Sequence, residues 1–196
     1  IVTTFICTIL GTLIAFPLVR HRFKGRNILN LLTLMPLAIP PLILGLALII
    51  FFSIIKVTLS FWTAVIGHVT AFIPYVLVFV MVALYGFNRS LEEASMDLGA
   101  SEITTFRKIT LPIIALGVMT GALASFILSF NEFFVEYYTM GPATPTLPIL
   151  MWSAWGFGLT PEINAVSTII LTVTAIIVYV VFRIVPRLLK GIIKVL

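Results

Sequence analysis

The sequence predicts an all-α integral membrane protein, and three observations carry that prediction. Of the 196 residues, 61% are hydrophobic and 10% charged, where a soluble domain carries about 25% charged residues, so there is too little charge to cover a globular surface. The apolar residues gather into runs long enough to cross a bilayer, which takes about 20 residues at 1.5 Å each. The basic residues sit between those runs. Strands of a membrane barrel would be about 10 residues long with alternating polar positions, whereas these runs are longer and apolar all round. Composition also excludes a disordered or collagen-like chain, and the single cysteine, Cys7, excludes an internal disulfide scaffold. The formal charge of +5 fits membrane orientation better than a nucleic-acid partner, because the cations are distributed between spans.

Five spans qualify, at 1–19, 31–55, 62–87, 111–130 and 163–185, within one transmembrane domain covering 1–196. Between them lie a polar segment at 88–112 and an outer loop at 131–162. Arg20, Arg22, Lys24 and Arg26 follow the first span, and Arg89, Arg107 and Lys108 follow the third. Arg183, Arg187, Lys190 and Lys194 follow the fifth. Five crossings put all of these on one side and leave Lys56 alone on the other. Cytoplasmic loops accumulate Lys and Arg, so the amino end is expected outside and the carboxyl end in the cytoplasm. Ile1 opens directly into an apolar run with no initiator Met and no charged leader, so an upstream part, such as another span, is expected.

Within the spans, Pro36, Pro40 and Pro41 fall in the second and Pro74 in the third. Each removes a backbone donor and kinks a helix, and two readings stand, hinges of a gate or static bends. Gly117, Gly121, Ser125 and Ser129 form a stripe at four-residue spacing in the fourth span. Small residues at that spacing let helices approach closely. The glycines read as packing positions, and the serines stay open between packing and a pathway lining.

The 88–112 segment is the most informative. Ser90-Leu91-Glu92-Glu93 has capping-box spacing, with Ser90 as the cap and Glu93 at the third helical position. The pattern predicts a short helix over 91–98 ended by Gly99 in the left-handed conformation. Leu91, Ala94 or Ser95, and Leu98 share an apolar face, with Glu92, Glu93 and Asp97 directed elsewhere. A second helix is expected from Ser101 towards Ile109, before Leu111-Pro112 opens the fourth span. A two-turn helix is unstable alone, so its own protein, the membrane surface or a partner's groove must hold it, the last with the apolar stripe as anchor and the carboxylates as rim.

Glu93-Ala94-Ser95, three residues, Gly99, nine residues, then Ile109-Thr110-Leu111-Pro112 resembles the EAA loop of ABC importer permeases. Every spacing agrees, and the one departure is Ser95 where a second alanine usually stands. Arg22-Phe23-Lys24-Gly25-Arg26, Met35-Pro36 through Pro40-Pro41, and Gly67-His68 ahead of Pro74-Tyr75 look like the spermidine/putrescine permease branch. So do Gly141-Pro142 and Thr160-Pro161-Glu162-Ile163-Asn164-Ala165. The resemblance covers essentially the whole chain. It implies a type I importer bundle of which this chain matches the last five of six spans, in a bacterial inner membrane. It also implies that the loop is a coupling helix, with Leu91, Glu92, Glu93, Ala94, Ser95, Leu98 and Gly99 at the contact with a cytoplasmic ABC ATPase dimer. A second permease subunit, copy or paralogue, and an external substrate-binding protein complete the implied partners.

The chain contains no Gly-Lys dipeptide, so it holds no phosphate-binding P-loop and no ATPase site of that kind. No H-E-x-x-H, C-x-x-C or G-x-S-x-G motif occurs either; neither a metal nor a cofactor is called for. His21 among arginines reads as a contact for anionic lipid, and His68, inside a span, as a packing histidine or a functional group. On the outer side, Glu132, Glu136 and Glu162 with Tyr137, Tyr138, Trp152 and Trp155 suit a cationic substrate through carboxylate and cation–π contacts. The bland alternative is an interfacial aromatic belt, and for Glu162, behind Thr160-Pro161, a helix-dipole role. The candidate pathway residues are Glu132, Glu136, Tyr137, Trp152, Trp155, Ser125 and Ser129. The segment 141–148 is expected to meet the binding protein. The expected function is therefore a polyamine permease subunit. Related substrates (ferric iron, phosphonate, a small organic cation) form the alternative within the class, and a secondary transporter the alternative outside it.

Overall fold

The computed structural model describes residues 1–141, 145–156, 158 and 161–193, with side chains through 180 and at Arg183. Pro142, Thr160 and Lys194, singled out above, lie outside the described residues. Among the described residues every regular element is a helix. They are α1 (Val2–Arg20), α2 (Arg26–Leu34), α3 (Pro41–Ile54), α4 (Phe61–Tyr85), α5 (Ser90–Asp97), α6 (Glu102–Thr105), α7 (Leu111–Asn131), α8 (Phe134–Thr139), α9 (Leu147–Trp155) and α10 (Pro161–Ile193). A 3-10 turn, Met35–Ala38, sits between α2 and α3, and a π-helical turn, Phe106–Thr110, joins α6 to α7.

The core is a three-helix packing around α4. Cys7 of α1 lies against the Val69 carbonyl, Gly11 against Val76, and the Arg20 guanidinium over the Phe87 ring. The positions rise together, so α1 and α4 run parallel. Against α7 they oppose: Gly117 meets Phe79 and Ala83, Gly121 meets Val76, and Ser129 meets His68. Val76 is fully buried between two glycines, one from each neighbouring helix. A Cβ at Gly121 would come 2.9 Å from the Val76 Cα, and one at Gly117 would come 2.7 Å from the Phe79 carbonyl oxygen. The absence of side chains there sets the helix separation.

The parallel pairing forces a return. Arg20 and Phe87 share one end of the bundle, while Ile1 and Phe61 line a cavity at the other. Between Arg20 and Phe61 the chain must travel back the length of α1, about 28 Å at 1.5 Å per residue. It does so as a broken span. The run expected as one helix over 31–55 is two helices, Arg26–Ala38 and Pro41–Ile54, bent by 115°. Pro36 opens the 3-10 turn and Pro40-Pro41 starts α3; with donors missing there, the first helix cannot continue into the second. Pro74, by contrast, lies buried in an unbroken α4. Among the described residues four helices are long and apolar enough to cross a membrane, and up to five spans result if the bent pair is counted as one.

Three other boundaries differ from expectation. The fourth span does not open at Leu111: helix runs continuously from Glu102 to Asn131, and the π turn widens it just before Pro112, which has no N–H for the preceding turn. The 131–162 region is more than a loop, since α8 packs its Val135 against Gly45 of α3 and Gly67 of α4. The last helix extends through Ile193 rather than ending at 185.

Replacing Gly117 or Gly121 by valine should cost about 1–3 kcal/mol through forced helix separation, or about 2–4 °C of Tm per kcal/mol. Thermal unfolding of the detergent-solubilised protein measures this. Gly156→Ala, whose added carbon would meet nothing nearer than 3.4 Å, should leave Tm within a degree or so of the parent protein.

Candidate functional site

Two places carry the chemistry, one at each end of the bundle. At the first, α5 begins on an Asn88 turn: the Ser90 N–H donates to Asn88 Oδ1 at 3.1 Å. The expected capping box is therefore absent. Ser90 is already helical, with Arg89 in the cap position, and Glu93 pairs with Arg89 at 3.1 Å on the exposed surface. The other end is as expected. Gly99 has φ +86°, its N–H donates to the Met96 carbonyl and that of Ala100 to the Ser95 carbonyl, the paired bonds of a Schellman stop.

The helix turns two faces in opposite directions. Leu91, Ala94 and Leu98 are exposed, Leu98 to 90%. Glu92 and Ser95, three residues apart, face inward. Glu92, expected on a charged rim, is instead buried: its Oε2 lies 3.0 Å from Arg20 Nε, and its Oε1 accepts from Thr110 Oγ1 at 2.7 Å. Ser95 Oγ lies 3.0 Å from Thr105 Oγ1, which gives the hydroxyl an internal partner that alanine would lack. Sequence reasoning missed this inner face, although the helical spacing of Glu92 and Ser95 opposite the Leu91–Ala94–Leu98 stripe was a usable signal. The pair ties α5 to the end of α1 and the start of α7, and the Arg20 guanidinium also stands 5.1 Å from the Phe87 ring centroid beyond α4.

At the opposite end a cavity of about 850 Å³ opens between α1, α4, α7, α8, α9 and α10. Its polar lining includes His68, Ser129 and Glu136, and Phe133, Trp152 and Trp155 supply an aromatic wall. Trp152 has its ring 5.1 Å from Phe133 and 5.2 Å from Trp155. Among the described residues no Lys or Arg side chain lines it. Glu136 is 7% exposed; burial pushes its carboxyl above the usual carboxylate range, a hydrogen bond with Thr146 opposes this, and the Glu132 charge adds to the rise.

Four of the seven pathway candidates, Glu136, Trp152, Trp155 and Ser129, line this cavity, and three do not. Glu132 Oε1 accepts from the Val135 N–H at 3.0 Å and so serves the start of α8. Tyr137 is exposed and packs on Phe133 and Tyr138. Ser125 is fully buried between helices. His68, set aside between packing and function, does line the cavity. Of the remaining candidates, His21 is exposed with its ring edge-on to Phe16, and Glu162 is exposed at the start of α10.

A bundle with a broken span, a carboxylate-bearing cavity at one end and a tethered amphipathic helix at the other is the build of a multi-pass membrane transport protein. The chain belongs to the family of binding-protein-dependent transport system inner membrane components, whose pattern matches residues 8–194. It is 35% identical over 173 residues to the spermidine/putrescine transport system permease protein PotC of Haemophilus influenzae, covering 88% of this chain and 67% of that protein. Against the putrescine transport system permease protein PotI of Escherichia coli K12 it is 36% identical over 189 residues, 91% of this chain and 66% of the relative. A probable molybdenum ABC transporter permease of Haloferax volcanii is 26% identical over 165 residues, 78% and 60% of the two chains. The chain spans about two thirds of the length of the curated relatives it matches. Membership makes it a multi-pass inner-membrane protein and removes the secondary transporter.

Leaving one partner of a buried ion pair alone costs about 3–5 kcal/mol, while replacing both by apolar residues is often neutral. Glu92→Ala should therefore lower stability by an amount of that order, and Arg20→Met with Glu92→Leu should recover most of it. Chemical unfolding in detergent and protease sensitivity of the 88–112 segment measure both.

Proposed function

We propose that the chain is the permease subunit of an ATP-driven importer that passes polyamines, spermidine and putrescine among them, from an external binding protein into the cell. The observation that carries this reading is the cavity: a buried carboxylate, an aromatic wall and, among the described residues, no lining lysine or arginine side chain, the chemistry that holds an alkylammonium. Phosphonate or molybdate would need the opposite charge there. The names of the two polyamine relatives support the same substrate class.

In this reading the basic ends of the spans face the cytoplasm, with the carboxyl terminus. The exposed Leu91–Ala94–Leu98 face of α5, bordered by Glu93 and Asp97, sits in a groove of a cytoplasmic ATPase dimer, while Glu92, Ser95 and Gly99 hold the helix in shape. ATP binding closes the dimer and moves α5 as a rigid piece. Through Arg20 and Thr110 that motion reaches α1 and α7 together, and both helices end at the cavity. A second permease subunit supplies the rest of the pore wall, and the segment 141–148 meets the loaded binding protein.

Radiolabelled spermidine and putrescine uptake by cells carrying the full-length protein with its partners tests the reading. Saturable uptake is expected. Gly99→Val, which forces a β-branched residue into φ +86°, should abolish it with normal membrane insertion. Glu93→Ala should also abolish uptake. Glu136→Gln should lower it about tenfold or more, as the loss of a charge-assisted contact implies. Wild-type cells that take up neither amine would overturn the substrate, and full uptake by the Gly99 variant would overturn the coupling role.

A further inference from the structure

His68 lies two turns inside α4, about 10 Å from the helix start, and is 6% exposed. Its ring has two nitrogens in different situations. Nδ1 is 2.9 Å from Ser129 Oγ of α7. Nε2 is buried and meets no hydrogen-bonding group of the protein. The ring is fixed from a second side by Phe72, edge-on at 5.6 Å between centroids. A histidine whose only task was to join α4 to α7 would need one nitrogen. Leaving the other buried and unpaired costs about 1–3 kcal/mol, and the residue lines the same cavity as Glu136 and Trp152.

We propose that His68 is the hydrogen-bonding element of an ammonium subsite in this cavity. Nδ1 carries the ring proton and donates it to Ser129 Oγ. Nε2 then keeps its lone pair free, and it accepts an N–H of a primary alkylammonium when the ligand, on entering the cavity, displaces the groups that cover the ring. Glu136 balances the ligand's charge, and the indole of Trp152 takes its methylene chain and cationic face. The inference rests on the polyamine reading and adds what that reading lacks, a neutral acceptor that tells an ammonium with N–H groups from a cation without them. Glu136 and the indoles attract any organic cation; His68 selects for hydrogens to donate. Ser129 is a positioning residue here, because its hydroxyl sets which ring nitrogen carries the proton and which keeps the lone pair.

The test is equilibrium binding to the full-length importer complex in nanodiscs, without the external binding protein, in nucleotide-free and vanadate-trapped states. The probes are radiolabelled putrescine and, by competition, its bis(trimethylammonium) analogue, which keeps both charges but has no N–H. His68→Phe should weaken putrescine about tenfold or more, the loss of one hydrogen bond to a charged group, and leave the analogue unchanged. His68→Gln, which retains a side-chain acceptor, should bind putrescine within a few-fold of wild type. Equal weakening of both ligands would mean a purely structural histidine and overturn the proposal, as would unchanged putrescine binding in His68→Phe. Wild-type complex that imports putrescine yet binds none saturably in either state would overturn the subsite alone. Wild-type complex that neither binds nor imports it would overturn the polyamine reading as well.

Discussion

A buried ion pair, Arg20 with Glu92, is the constraint on which the α5 end of this structure hangs. Arg20 is the last residue of α1, Glu92 belongs to a helix of eight residues, and Thr110 at the end of the π turn completes the contact. A helix that short does not persist without outside support. Here the charged pair and the hydrogen bond from Thr110 supply it from the side facing the bundle, which leaves the other side bare. The same contact fixes the angle at which α5 leaves the membrane domain, since its two anchors belong to different long helices.

The interior of the bundle is organised by close approach instead of charge. α4 sits between α1 and α7, and glycines on both neighbours bring backbones against Val76. Helices in lipid gain little from hydrophobic burial against one another, so van der Waals contact at small residues carries more of their association. Because α1 and α4 are parallel neighbours, the chain needs a return path outside that core. The broken α2–α3 span supplies it, and its second half makes the shelf on which α8 rests. Glu136 belongs to α8, so the cavity's carboxylate is positioned at the end of a chain of packing contacts that begins with Gly45 and Gly67.

Much of the fold was legible because hydropathy in a membrane protein is a strong signal: an apolar run of 18 or more residues has few other destinations. The same signal hid the break at Pro36–Pro41. A run stays apolar whichever way its axis turns, and prolines alone do not tell a kink from a 115° fold-back. α8 and α9 were invisible for a different reason, being short, aromatic and packed by distant residues rather than by their own periodicity. Gly99 was readable since a left-handed residue after a helix is a local requirement. The capping box was misread because Asn88, two residues earlier, made the same kind of turn first. Glu92 could not have been paired with Arg20 from sequence, as the two meet only through the tertiary arrangement. At the cavity, residue type pointed to Glu136 and the indoles. Only coordinates separated Glu136 from Glu132, whose carboxylate is spent on a backbone N–H.

The two-sided build of α5 has an evolutionary consequence. Its inner face is committed to the fold through Glu92 and Ser95, and its ends are closed by Asn88 and Gly99 from within the same segment. Leu91, Ala94 and Leu98 are open to the outside and can drift without charge to the bundle's stability. A gene duplicate could thus change what this face of α5 meets by changing three side chains, its membrane part untouched. Swapping this short segment between paralogues is for the same reason a modular exchange, provided the arginine at the end of the first helix travels with the carboxylate that receives it.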